Sequence, residues 1–202
     1  MRDTSMRIHM DFLCFSVMVL GAGSCGAAPT AGAQELVPRV GARIPYRVGL
    51  PARAQVEDDG RTLAAWTDFA IVMVDVVDLM EEEQGSQEAV ASEPEARRIM
   101  TDIILDSDSL LLRVRDDVLG ERKMELREVV TEFRTLDGQR AAYVGGRFSH
   151  VGAAGWIEVY VSIKDAVVYT LGIVRGGDDR EAFESLARRI HASFRMPDEP
   201  PA

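Results

Sequence analysis

Apolar runs and polar breaks along the chain read mainly as strands. FAIVMVDVVDL, residues 69–79, is a β-branched run typical of a strand buried on both faces, and it predicts a central strand. Ile44 to Leu50, closed by Pro51, predicts an earlier strand, and Asp58-Asp59-Gly60 predicts a turn into RTLAAWTD. MELREVVTEFRTL and QRAAYVGGRFSH flank Asp137-Gly138, the strongest kind of short-range hairpin signal. WIEVYVSI and AVVYTLGIV follow, joined by Lys164-Asp165. In the first of these, Ile157, Val159, Val161 and Ile163 share one face, with Trp156, Glu158, Tyr160 and Ser162 on the other. That alternation predicts a sheet with one clearly apolar side.

Two stretches carry a helical period instead. Ser92 with Glu95 forms a capping box ahead of Ala96, Met100, Ile103, Leu110 or Leu111, Val114 and Val118. This predicts a long middle helix as far as Gly120, with Asp106-Ser107-Asp108-Ser109 as a place where it breaks in two. Asp178 with Glu181 predicts the cap of a final helix whose stripe is Phe183, Leu186, Ala187, Ile190 and Phe194, stopped by Met196-Pro197. The predicted class is α+β: a mostly antiparallel sheet of about six to seven strands flanked by a long middle helix and a C-terminal helix.

The N-terminal stretch VMVLGAGSCG has glycines spaced as in a dinucleotide-binding turn, yet no helix pattern follows Gly26 to receive a pyrophosphate. It fits an export signal better. Arg2 and Arg7 precede the apolar run Phe12 to Leu20, which gives way to small residues. Cleavage before Cys25 would make a lipoprotein, and cleavage before Gln34 an ordinary secreted chain. The expected organisation is therefore an export signal over 1–33, a tether over 34–42, a single α/β domain over 43–197 and a solvated tail over 198–202. Both cysteines, Cys14 and Cys25, fall in the signal, so the domain is expected to rely on packing alone.

The order of strands and helices resembles the PsbP-like α/β/α sandwich superfamily. That superfamily also takes in DcrB-type and LpqN-type bacterial envelope proteins and a yeast Ran-binding import factor. The residues that carry the resemblance are YRVGLP at 46–51, LDGQRAAYVGGRF at 136–148, VVYTLGIV at 167–174 and FESLARRIHASFRM at 183–196. Members often have a Trp just after the first proline, where this chain has Ala52 and Arg53. The resemblance implies an accessory or partner-binding role without shared catalytic residues.

A net charge of −10 disfavours nucleic acid and anionic lipid surfaces as partners. Among the histidines, His191 reads as a packing residue on the last helix. His150 follows Ser149 on a strand, where neighbours point to opposite faces and cannot act as nucleophile and base. Asp106 and Asp108 start like a calcium loop, but Leu111 stands where the sharp turn needs glycine. At Gly176-Gly177 the end of a helix would attract an anion, were Asp178 and Asp179 not already there.

No catalytic, cofactor-binding or metal residue is therefore assigned. Trp156 and Tyr160, opposite the apolar face of their strand, are the candidate binding surface, with burial beneath a helix as the competing reading. Cys25 is the candidate lipidation site, and any membrane contact is expected only through that anchor. The expected function is that of an exported envelope protein, periplasmic or membrane-anchored, acting as a non-catalytic module for an envelope protein partner. A small-molecule or lipid carrier, or a hydrolase-type enzyme with an acidic cleft, are the alternatives.

Overall fold

The computed structural model describes residues 35–80 apart from 42, together with 95, 97–99, 101–102, 110–112, 114–116, 125–150 and 153–198. The stretch expected to be an export signal, with Cys25, lies outside the described residues, as do residues 81–91, Ser92 and Asp106–Ser109.

Nine strands are present among the described residues: β1 Leu36–Val40, β2 Arg47–Pro51, β3 Gln55–Asp58, β4 Thr62–Trp66, β5 Ala70–Asp78, β6 Glu125–Leu136, β7 Gln139–His150, β8 Ala153–Lys164 and β9 Val167–Gly176. The last seven form one antiparallel sheet in the order β3-β4-β5-β9-β8-β7-β6. Strands β6 to β9 are a meander, and β5 closes against β9 to join the first half of the chain to the second. The expected interior position of the 69–79 run is met, since β5 is buried along nearly its whole length.

The hairpin at Asp137-Gly138 forms as predicted, with φ of 49° and 77°, the left-handed pair that a two-residue turn between twisted strands requires. The next turn is displaced by one residue from expectation. Lys164 still belongs to β8, and Asp165 and Ala166 make the turn at φ of 52° and 58°. An alanine is tolerated there because the turn is clamped: Thr101 Oγ1 accepts from the Ala166 amide at 2.8 Å, and the Leu79 amide donates to the Ala166 carbonyl at 3.0 Å.

Both faces of the sheet are covered. On the first face, Val72, Val74, Val76, Leu171 and Ile173 pack under the C-terminal helix Arg180–Ser193 through Phe183, Leu186, Ala187 and Ile190. On the second, Ile157, Val159, Val161 and Ile163 pack against Leu110 and Val114. Those two belong to helical residues at 95, 97–99, 101–102, 110–112 and 114–116. The long middle helix is not shown as one element, because residues that would join its parts lie outside the described set.

Two further expectations are corrected. The tether over 34–42 contains β1, which pairs antiparallel with β2, with Leu36 packed on the core. The strand was hidden because most of it is exposed and it includes Pro38, which an edge strand tolerates. The C-terminal helix is capped by Asp179, whose side chain accepts from the Ala182 amide at 2.9 Å. Asp178 is drawn away by an ion pair with Arg147.

Strand β6 is an edge of the sheet, and its pairing with β7 is interrupted by a bulge between Arg127 and Val130, with Glu128 at φ 54°. At the far side of the sheet, a buried ion pair secures the helical segment. Arg97 donates to both oxygens of Asp78 at 3.1 and 3.0 Å and to the Asp165 carbonyl at 3.0 Å. Arg97→Ala would strand the Asp78 carboxylate in the interior. It should lower unfolding stability by about 3–5 kcal/mol in equilibrium urea denaturation, more than the combined Asp78→Asn and Arg97→Met replacement does.

Candidate functional site

The C-terminal helix does not reach across the whole of its face. Between it and strands β6 to β8 lies an open cleft of about 460 Å³. Its floor depends on glycine. Gly145 on β7 stands between Val130 on β6 and Glu158 on β8 in the sheet register, and a side chain there would fill the floor. A Cβ on Gly145 would clash with the Tyr143 hydroxyl oxygen. The missing side chain thus lets the Tyr143 ring lie along its strand, with its hydroxyl beside Glu158.

Glu158 is the centre of the cleft. Tyr143 donates to its Oε1 at 3.2 Å, and Tyr160 lies 3.4 Å from its Oε2. Burial holds the Glu158 carboxyl above the usual carboxylate range, although both phenols and the Arg134 charge pull it down. The phenols respond in the same sense. Burial, then the nearby Glu158 carboxylate, pushes Tyr160 up to about 12 and raises Tyr143 as well, so both remain donors at neutral pH.

Aromatic rings wall this centre. Tyr143 and Tyr160 meet at 5.0 Å in a tilted pair, and Tyr160 meets the His191 ring at 5.0 Å. His191 is in the last turn of the helix, and its Nε2 lies 2.7 Å from the Thr135 carbonyl oxygen. Cations then cover the rings: the Arg134 guanidinium sits 3.4 Å above Tyr143 and Arg180 sits 5.2 Å from Trp156. Each is also paired at the surface, Arg134 with Glu132 at 2.7 Å and Arg180 with Glu184 at 2.7 Å.

The two residues singled out as a candidate surface, Trp156 and Tyr160, both line this cleft. Tyr160 is buried, and Trp156 is half-buried beneath the helix, stacked on Phe183 at 6.4 Å. The strand alternation also put Glu158 on their face, yet Tyr143, Gly145 and Arg134 were not singled out. A carboxylate flanked by aromatics at i−2 and i+2 was the available signal. Cys25 lies outside the described residues, and among those described no group of three or more His, Cys, Asp or Glu side chains is suited to a metal. No helix of the described residues is long and apolar enough to cross a membrane.

No protein-family model matches the chain, and no curated protein does. Among solved structures, the chain is similar to cyanobacterial PsbP from Synechocystis at 15% identity. That match covers 87% of this chain and all of the other, with a TM-score of 0.48. A second similar structure comes from Bacteroides thetaiotaomicron, at 9% identity and a TM-score of 0.47, and covers 83% of this chain but half of that one.

The raised carboxyl gives a signed pH dependence. The folded chain holds the Glu158 proton more tightly than the unfolded chain does. Its contribution to stability is therefore complete below the ordinary value of 4.5 and is lost as pH rises through the folded-state value. Glu158→Gln, which mimics the protonated form, should gain on the wild type as pH is raised from about 4 to about 7, measured by denaturant midpoints.

Proposed function

We propose that this chain is an exported bacterial envelope protein, lipid-anchored at Cys25, that acts by binding, with the cleft beside the C-terminal helix as its binding site. The observation that supports binding is how the lining is made up. Trp156, Tyr143 and Tyr160 give it rigid aromatic walls, and the charged groups among them are fixed by one another: Glu158 by two phenols, Arg134 by Glu132, Arg180 by Glu184. Fixed directions and little side-chain entropy to lose favour recognition. Arg188 stands on the rim as a cation offered to a partner. The partner is an envelope protein; the net charge of −10 keeps nucleic acid away.

A small-molecule carrier is the second reading. It is favoured by the cleft volume of about 460 Å³, which falls within the roughly 300–1,000 Å³ of small-ligand sites.

Cross-linked capture from envelope membranes tests the first reading. Wild type should retain one protein partner, which Arg188→Glu should lose while keeping a wild-type melting profile and Glu158→Gln should lose while melting no lower than wild type. Equal recovery of that partner by both variants would exclude the cleft. Metabolic labelling with a palmitate analogue tests the anchor: Cys25→Ala should lose the label. An unlabelled wild type whose mature N-terminus is Gln34 would remove the anchor and leave the binding reading standing.

A further inference from the structure

Arg175, near the end of β9, is buried at 7% exposure. Leu171 and Ile173 place its side of the strand on the face covered by the C-terminal helix. Its guanidinium rests 5.0 Å from the Phe69 ring, and its Nε has no hydrogen-bond partner. Among the described residues, no carboxylate pairs with it. A buried guanidinium Nε without an acceptor is a costly arrangement, which proteins normally relieve by hydrogen bonding.

Directly opposite Arg175 in the β8–β9 ladder is Trp156. Opposed residues on one face have Cβ atoms about 4.5–5.5 Å apart, so the two side chains are immediate neighbours. The indole Nε1 of Trp156 is likewise buried and without a partner. Two adjacent buried donors, one carrying a full positive charge, thus have no acceptor of their own. The acids nearest in sequence are occupied: Asp178 pairs with Arg147, and Asp179 caps the helix. Arg180, close to the same indole, adds positive charge and is balanced by Glu184 and Glu128.

We propose that Arg175 and Trp156 anchor an oxyanion: one oxygen of a carboxylate or phosphate accepts from the guanidinium and another from the indole N–H. This goes beyond the cleft reading, since Arg175 is not part of the cleft lining; Trp156, which belongs to both, gives the oxyanion its way in. Charge-assisted bonds at a shielded site would hold a small anionic group despite the acidic surface around it.

The test uses the full chain with inorganic phosphate and acetate as probes. The indole N–H resonance of Trp156, assigned with a Trp66→Phe variant, should shift saturably with an oxyanion and stay still with chloride. A response to acetate alone assigns a carboxylate, and one to phosphate alone a phosphate. Arg175→Gln should weaken binding about tenfold or more, with Arg175→Lys in between because it keeps charge but loses the planar fork. In anion-free buffer Arg175→Gln should melt no lower than wild type, because it removes an unpaired buried charge. An indole that neither probe moves, or that moves equally in Arg175→Gln, would overturn the proposal. So would a wild type that melts higher than Arg175→Gln without responding to either anion. Partner capture by the cleft is read separately and does not depend on any of these results.

Discussion

One helix has to cover one face of a wide sheet, and it is too small to do so. Fourteen residues make a helix about 21 Å long and about 10 Å across, whereas seven strands span about 29 Å between the outermost two. The shortfall is met in part by β1 and β2, whose residues Leu36, Val48 and Leu50 join the same core as the helix. Backbone bonds between Arg47 and Arg195 and the Gly49 amide on Ser193 Oγ tie the two pieces of cover together. Over β6 to β8 nothing more is available among the described residues. The cleft is what remains.

An uncovered patch of sheet has to be made compatible with water. Over β6 to β8, Tyr143, Glu158, Tyr160 and Arg134 stand where the rest of the face carries mainly Val, Leu and Ile. A single glycine sets the arrangement, because without the void at Gly145 the Tyr143 ring could not lie down beside Glu158. Half-buried polar groups then satisfy one another, and the cost of withdrawing a carboxylate from water appears as a raised affinity for its proton.

Most of the fold was legible because its signals are local. The run at 69–79, the Asp137-Gly138 turn and the stripe from Phe183 to Phe194 each carry their own period, and each became the element it predicts. What was not legible depends on distant partners. Strand β1 exists only through its pairing with β2, and Asp179 rather than Asp178 caps the helix because Arg147, thirty-one positions away, takes Asp178. The site divides in the same way. Trp156 and Tyr160 could be placed on one face from alternation alone. Tyr143, Arg134 and His191 reach them across three other elements, and no spacing in the chain encodes that meeting.

The bulge between Arg127 and Val130 has a consequence for how the molecule lives among its neighbours. A twelve-residue edge strand is an open template for further strands, and Val129 and Val130 lie exposed on it. The bulge twists that edge, and the paired charges of Glu125 with Arg127 and Glu132 with Arg134 line it on either side. Chains that meet edge to edge would have to align a kinked, charged border. Crowding such a protein therefore carries less risk of runaway sheet growth, and the lip of the cleft stays open for side chains and not for an added strand.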